Sequence, residues 1–233
     1  MSMFEFKDIG RNIRERRRRF GLSARELAEK AGISRNTLVR LEAGHPCHLA
    51  TIEKLRRALS MAADQVLRPA DPAPFRVHRS GDSRWSVAVP HSEYRRLRED
   101  EDPRHVNDPV ERRRLGALGF QPAFTAVLDS ELTGGVTSHA IIEVHGRGWV
   151  TNHYGEEFVY CLRGSVIVTV DEVPCRLEEG DALGFDATHP HRYEPAYEIT
   201  PTTPIPLILA IVTMRPGEQL PPPIETPYKL LNW

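Results

Sequence analysis

The sequence predicts a mixed α + β chain of two domains, an all-α domain followed by an all-β barrel or sandwich. Apolar residues recur at helical spacing up to the prolines of residues 68–75, and beyond them they form short β-rich runs such as FVYCL and SVIVTV. Charge changes at the same place, since residues 1–68 hold 15 Lys and Arg against 8 Asp and Glu, and the remainder holds 16 against 24. We therefore expect a domain at 1–68, a connecting segment at 69–119, a barrel at 120–216 and a proline-rich arm at 217–233.

The composition of the chain argues against a membrane protein and against a secreted, disulfide-linked one. The chain of 233 residues is 40% hydrophobic and 27% charged, but no apolar run approaches the ~18 residues of a membrane span. Its first residues lack the apolar stretch of a secretory signal. The three cysteines (Cys47, Cys161 and Cys175) form no disulfide framework. We expect a soluble cytoplasmic protein with reduced thiols and no membrane partner.

Capping signals divide the N-terminal domain into short helices. The first predicted helix is basic and ends before Gly21. Ser23 and Glu26 have the spacing of a capping box, and Gly32 ends the helix that they begin. Ser34 then caps the next helix. Two short helices joined by a tight turn are typical of the helix-turn-helix, whose second helix enters the DNA major groove.

The segment LSARELAEKAGISRNTLVRLEAG resembles the helix-turn-helix of the Xre/Cro/phage-repressor family, which implies an all-α domain of five helices with the lambda-repressor-like fold. The resemblance implies that the helix over residues 34–42 binds double-stranded DNA. The residues implied to contact DNA are Ser34, Arg35, Asn36, Thr37 and Arg40. Their chemistry agrees, because arginine pairs bidentately with guanine and asparagine with adenine.

One position departs from the family pattern. Family members usually begin the first helix of the motif with a glutamine that binds a phosphate, and this chain has Ala24 there. We include the neighbouring Arg25 among the predicted DNA-binding residues, because its charge can replace that contact.

Two stretches of the C-terminal domain, TNHYGEEFVYCLRGSVIVTV and LEEGDALGFDATHPHRYEP, resemble the two motifs of the cupin family, which implies a β-barrel of the jelly-roll kind. The resemblance implies a divalent metal held by His153, Glu157 and His191, with Thr151 in place of the family's first histidine ligand. Two imidazoles and one carboxylate suit non-haem Fe(II), and Zn, Mn or Ni could also bind. A metal-free ligand pocket is the alternative.

Further residues are predicted to line that pocket. The predicted set is Thr151, Tyr154, Cys161 and Tyr193. Cys161 has a competing interpretation as a small buried hydrophobe. Three other histidines could replace the missing ligand, although each is more simply a polar residue at a strand edge: His139, His145 and His189.

Two functions from different classes follow. The first is a transcriptional regulator in which the cupin senses a small-molecule effector, acting as a homodimer or higher homo-oligomer on paired half-sites. The second is a mononuclear non-haem iron oxygenase or epoxidase, because the two-histidine, one-glutamate set also resembles that of hydroxypropylphosphonate epoxidases. Those enzymes supply an active-site lysine from the helical domain, which aligns near Gly21 here and is missing. We therefore predict a regulator without a catalytic residue.

Overall fold

The computed structural model describes residues 5–61, 63–87, 106–119 and 122–215, with helices first and strands second, as predicted. The chain divides into two compact units. Among the described residues, the first unit combines those up to 77 with 130–138 and 213–215, and the second unit contains 78–87, 106–119, 122–129 and 139–212. The predicted helix or connector HSEYRRLRED and the predicted arm at 217–233 lie outside the described residues.

Five helices build the first unit: α1 (Phe6–Arg19), α2 (Ala24–Ala31), α3 (Arg35–Glu42), α4 (Leu49–Ala58) and α5 (Ala63–Leu67). The predicted capping box is confirmed, since Ser23 Oγ accepts the Glu26 amide at 3.2 Å and the Glu26 carboxylate accepts the Ser23 amide at 2.7 Å. Gly32 ends α2 in the left-handed conformation, with φ of 61°. Ser34 caps α3 by accepting the Thr37 amide at 3.0 Å.

The helices pack around a core of leucines, isoleucines and alanines that includes Leu27, Leu38 and Leu55. Gly10 lies in the middle of α1, although glycine is a poor helix former. A β-carbon there would come within 2.0 Å of the Leu41 carbonyl oxygen in α3. Glycine is therefore required for α1 and α3 to approach this closely.

A buried arginine joins the later segment 130–138 to this unit. The Arg16 guanidinium donates to the Ser60 carbonyl and the Gln65 side chain at 3.0 Å each, and also to the Gly135 carbonyl. Gln65 donates in turn to the Glu131 carboxylate at 2.9 Å. Burial lowers the pKa of Arg16 to about 10, although the Glu131 charge opposes this shift. Residues 130–138 thus supply acceptors that satisfy a charge buried in the helical core.

The strands form the barrel: β1 (Trp85–Val87), β2 (Ala123–Val127), β3 (Thr137–Val144), β4 (Glu156–Arg163), β5 (Ser165–Val170), β6 (Val173–Glu178), β7 (Ala182–Asp186), β8 (His191–Pro195) and β9 (Leu207–Thr213). They form a six-stranded sheet in the order β1-β2-β3-β9-β4-β7 and a three-stranded sheet in the order β6-β5-β8. A 3-10 turn (Ser80–Asp82) and helix α6 (Pro109–Ala117) precede most of these strands.

Alternation along β4 separates the inside of the barrel from the outside. Glu157, Val159 and Cys161 are buried, whereas Phe158 and Tyr160 are exposed. The first three therefore share one face of the strand. Val159 and Cys161 join a core cluster that also contains residues of β3, β5, β6 and β9. Glu157 thus points into the barrel beside an apolar core.

Candidate metal centre and nucleic-acid interface

Two loops and two strands position the three predicted ligands. Glu157 is the second residue of β4, and His191 begins β8. His153 lies in the loop before β4, where its amide donates to the Ala187 carbonyl at 2.9 Å. The Ala187 amide donates back to the Gly155 carbonyl at 2.9 Å, so the two loops are held together by their backbones.

The three side chains meet inside the barrel. Their ligand atoms lie within 4.8 Å of one another, and within the described ranges they form the one cluster of this kind. Glu157 Oε2 lies 3.0 Å from His153 Nε2 and 3.6 Å from His191 Nε2. The two imidazole rings meet edge to face, with centroids 5.0 Å apart. His191 and Glu157 are buried, and 22% of the His153 side chain is exposed.

Backbone carbonyls orient both imidazoles. Nδ1 of His191 lies 2.8 Å from the His189 carbonyl, and Nδ1 of His153 lies 3.1 Å from the Tyr154 carbonyl. A carbonyl only accepts, so each Nδ1 carries the proton when the ring is neutral. The lone pair of each Nε2 then faces the carboxylate, which is the arrangement that metal-ligating histidines adopt.

The buried charges shift the pKa values of the cluster. Burial opposes ionisation of Glu157, but His153, His191 and the Tyr193 hydroxyl outweigh it and lower the pKa of the carboxyl. Burial also lowers the pKa of His191, which favours its neutral form. Partial burial opposes protonation of His153, but the adjacent Glu157 carboxylate outweighs it and raises the pKa of His153. The site therefore holds a carboxylate and a neutral imidazole, both of which are metal-ligating forms.

The surroundings of one carboxylate oxygen indicate whether a metal fits this site. Glu157 Oε2 is buried and has no hydrogen-bond partner among the described residues. A buried carboxylate oxygen in this state is costly unless a cation or donor satisfies it. The two Nε2 atoms that approach it are nitrogen ligands of the kind that Fe, Zn, Mn and Ni accept. The residues present fit a divalent metal, and they do not by themselves select its identity.

The predicted pocket residues occupy different places around this cluster. Thr151 forms an antiparallel bridge with His191, with hydrogen bonds of 2.8 Å in both directions, so the two side chains leave the same face. The Tyr193 hydroxyl donates to Glu157 Oε1 at 2.5 Å, so it fixes the carboxylate through the oxygen that does not face the two histidines. This contact was missed in the sequence, although Tyr193 follows His191 by two residues and a strand places both on one face.

Cys161 and Tyr154 contribute less directly. Cys161 is fully buried in the barrel core, and its thiol lies 3.4 Å from the Gly164 carbonyl at the turn into β5. That position matches its interpretation as a small hydrophobe. Tyr154 is buried next to His153, and its carbonyl is the acceptor that orients that ring.

The other histidines pair elsewhere. His145 lies 3.3 Å from the Glu143 carboxylate, and His189 contacts the Asp171 carboxylate. His139 lies on β3 and is not part of the cluster. Within the described residues, none of the three replaces the family's first histidine ligand, for which this chain has Thr151.

Helix α3 presents the predicted DNA-binding side chains to solvent. Arg35, Asn36 and Arg40 are exposed, and within the described parts of the chain their side chains have no hydrogen-bond or ion-pair partner. Ser34 and Thr37 bond to each other at 2.8 Å between their hydroxyls. Leu38 and Leu41, on the opposite face, are fully buried. The helix therefore has one face for the core and one polar face available for a ligand.

Arg25 is exposed at the start of α2, where it pairs with Glu29 at 2.9 Å. An exposed pair of this type contributes little stability. The Arg25 guanidinium can therefore leave Glu29 for a phosphate at small cost.

Comparison with known families agrees with the helix-turn-helix and the barrel described above. Residues 13–63 match the family model described as helix-turn-helix, and residues 138–198 match the model of the cupin domain. The chain carries both, and this combination fits a DNA-binding transcriptional regulator. No curated protein matches the sequence significantly.

Several solved structures are distantly similar. The iron(II) form of HppE aligns over 89% of this chain and 99% of its own length, with a TM-score of 0.43 and 14% identity. An HTH_3 family transcriptional regulator from Vibrio cholerae covers 89% and 96%, with a TM-score of 0.38 and 17% identity. Hydroxypropylphosphonic acid epoxidase from S. wedmorenis covers 90% and 98%, with a TM-score of 0.37 and 17% identity. All three TM-scores are below 0.5, so the two regions are assigned from the family models and the residues described above.

Within the part of the chain that the structure describes, no helix is both long enough and apolar enough to span a bilayer.

Proposed function

We propose that this chain is a cytoplasmic transcriptional regulator that binds double-stranded DNA through α3, and whose cupin domain binds a divalent metal and responds to a small metabolite. The observation that carries the proposal is the exposed polar face of α3 within a helix-turn-helix region. Arg35, Asn36 and Arg40 have the donor groups that base edges accept, and among the residues that the structure describes their side chains have no partner.

The DNA-binding step follows from the charge and geometry of the helices. Arg35 and Arg40 offer bidentate donors to guanine, and Asn36 offers an amide to adenine. Arg25 offers its charge to the phosphate backbone, because its pair with Glu29 is exposed. Phosphate contacts release counterions, so we expect the affinity to fall steeply as salt rises.

The metal step depends on residues that already face one another. His153, Glu157 and His191 would hold the ion, which when bound offers a Lewis-acid position to donor atoms of an effector. Tyr193 fixes the carboxylate through its hydroxyl, so Glu157 keeps its orientation. Phe185 lies edge-on to His191, with ring centroids 5.0 Å apart, and shields that imidazole from solvent.

Regulation requires a second copy of the chain. A two-fold dimer places two recognition helices about one turn of DNA apart, which matches paired half-sites. The effector shifts DNA affinity only if it prefers one arrangement of the dimer over the other. Light scattering with size-exclusion chromatography tests the dimer, and a monomer at working concentration would contradict it.

The DNA test begins by selecting a binding sequence from random duplexes with the full chain. We expect the double variant Arg35→Ala/Asn36→Ala to lose at least about 30-fold in affinity for the selected sequence, because two lost base contacts of ~1–3 kcal/mol each remove at least ~2 kcal/mol. Arg147→Ala, an exposed arginine of the cupin domain, is the matched control and keeps the affinity. Unchanged specific binding by the double variant would refute the assignment of α3.

The metal test measures elemental content in protein purified without a histidine tag. We expect near-stoichiometric metal in the parent protein and a marked loss in His191→Ala. His139→Ala is the control, because that histidine lies outside the cluster. Equal metal content in the parent and His191→Ala would refute the proposed ligand set.

A non-haem iron oxygenase is the second candidate, favoured by the two-histidine, one-carboxylate set itself. The discriminating measurement is oxygen uptake by the Fe(II)-loaded protein with candidate substrates. Turnover that survives in Arg35→Ala/Asn36→Ala and disappears in His191→Ala would favour the enzyme. Specific DNA binding without turnover favours the regulator.

A further inference from the structure

A cavity lies in the C-terminal unit, away from the metal cluster and on the opposite side of β3 from the barrel core. Val144 belongs to the core, and its neighbours Glu143 and His145 point the other way, toward α6. Here a cleft of about 260 Å³ opens. Its wall includes Arg113, Glu143, His145, Arg163, Pro204 and Ile205. None of these residues belongs to the metal cluster.

Among the described residues of this wall, the one acidic group is already paired. Arg112 donates to both oxygens of Glu143, at 2.7 Å and 3.0 Å, and His145 lies 3.3 Å from the same carboxylate. Burial opposes ionisation, but these partners outweigh it and lower the pKa of Glu143 to about 2. The carboxylate is therefore charged and fully paired, and the two arginines of the wall give the cleft a net positive charge.

Arg163 has unused donors. Its Nε donates to the Ile205 carbonyl at 3.0 Å, which fixes the guanidinium at the end of β4. Neither of its Nη groups has a partner among the described residues. Two free Nη groups on a fixed guanidinium match the two oxygens of a carboxylate or phosphate.

The rest of the wall is held in place before any ligand arrives. Arg113 donates to the carbonyls of Thr200, Pro201 and Thr203, which anchors the loop that leads to Pro204. Pro204 and Ile205 add an apolar surface beside the charged one. A preformed cleft of this size, with fixed arginines beside a small apolar surface, suits a small anion.

We propose that this cleft binds the oxyanion of a small metabolite, a carboxylate or a phosphate, with Arg163 as its bidentate partner and Arg113 as a second positive charge. The apolar body of the ligand packs on Pro204 and Ile205. The site is separate from the metal cluster and does not depend on the function proposed above.

The test follows the δ1-methyl NMR signal of Ile205 in the full chain, at constant ionic strength set with chloride. Inorganic phosphate and succinate are titrated separately, so that the two oxyanions are compared. We expect a saturable shift of the Ile205 signal with at least one of them, and at least tenfold weaker binding in Arg163→Gln. The methyl signals of Ile52, in the helical domain, and Ile208, in the barrel core, report binding elsewhere.

Matched variants distinguish anion binding in this cleft from a general effect of removing a positive charge. Arg176→Gln removes one exposed arginine from β6 and should leave the Ile205 titration unchanged. If Arg163→Gln proves poorly folded, Arg113→Gln is the second test variant. We expect it to weaken binding as well. No saturable shift with either anion, or the same affinity in the parent and the cleft variants, would overturn the proposal.

Discussion

Replacing Glu143 by glutamine tests the buried ion pair that attaches α6 to β3. The pair is almost fully enclosed, with 5% of the Arg112 side chain and 11% of the Glu143 side chain exposed. Glu143→Gln removes the charge and leaves the Arg112 guanidinium buried without its counter-ion. Breaking a buried pair in this way costs about 3–5 kcal/mol, so we expect the free energy of unfolding at pH 7 to fall by that amount.

The dependence on pH gives an independent magnitude. The pKa of Glu143 falls from its ordinary value of 4.5 to about 2 in the folded protein, which corresponds to about 3 kcal/mol of stability. Because the folded pKa is the lower one, this contribution is complete above pH ~5 and is lost as the pH falls toward 2. Glutamine does not titrate, so the variant lacks this part of the acid sensitivity.

The assay is urea unfolding between pH 7 and pH 3, followed by tryptophan fluorescence. Trp85 lies 4.2 Å below the Arg112 guanidinium and reports on the pair directly. Glu111→Gln is the control, because Glu111 forms an exposed pair with Arg114 on the same helix. We expect the control to change stability by less than about 1 kcal/mol. Parallel pH curves for the parent and Glu143→Gln would refute the reasoning.

Three further predictions concern single contacts. Gly10→Ala should destabilise the helical domain by about 1–3 kcal/mol, since the new β-carbon would meet the Leu41 carbonyl at 2.0 Å; a thermal melt at or above the parent value would contradict this. Tyr193→Phe removes the donor to the Glu157 carboxylate and should weaken metal binding 10- to 100-fold in a chelator competition; equal affinity would show that the hydroxyl does not support the ligand. Ser34→Ala removes the cap of α3 and should cost about 1 kcal/mol in urea unfolding, and no measurable change would argue against the cap.

Local signals in the sequence were sufficient for the helical domain. Capping at Ser23 and the left-handed turn at Gly32 depend on neighbouring residues only, so both could be predicted from the order of residue types. The same is true of the buried face of β4, because strand alternation is a local property. The contribution of residues 130–138 to the helical unit could not be predicted, because their acceptors meet Arg16 only after folding.

The clustering of His153, Glu157 and His191 was predictable for a different reason. His153 and Glu157 occur within one motif, and a second motif ends at His191, so family resemblance indicated which residues meet. Spacing alone gives no distance between the two motifs in space. The pairing of Glu143 with Arg112 was not predicted either, because it joins a strand to a helix 31 residues away and no motif marks it.

The buried Arg16 also limits how such proteins exchange parts during evolution. Its acceptors come from the helical segment and from Gly135, more than a hundred positions later in the chain. A recombination event that transferred residues 1–77 alone would carry the guanidinium into a protein without that carbonyl. The recipient would then lack both the Gly135 acceptor and the segment that packs against Arg16, and the loss of a hydrogen bond to a charged group costs about 1.5–3 kcal/mol. The helical domain is therefore not a freely transferable module, and successful exchange requires that both stretches move together.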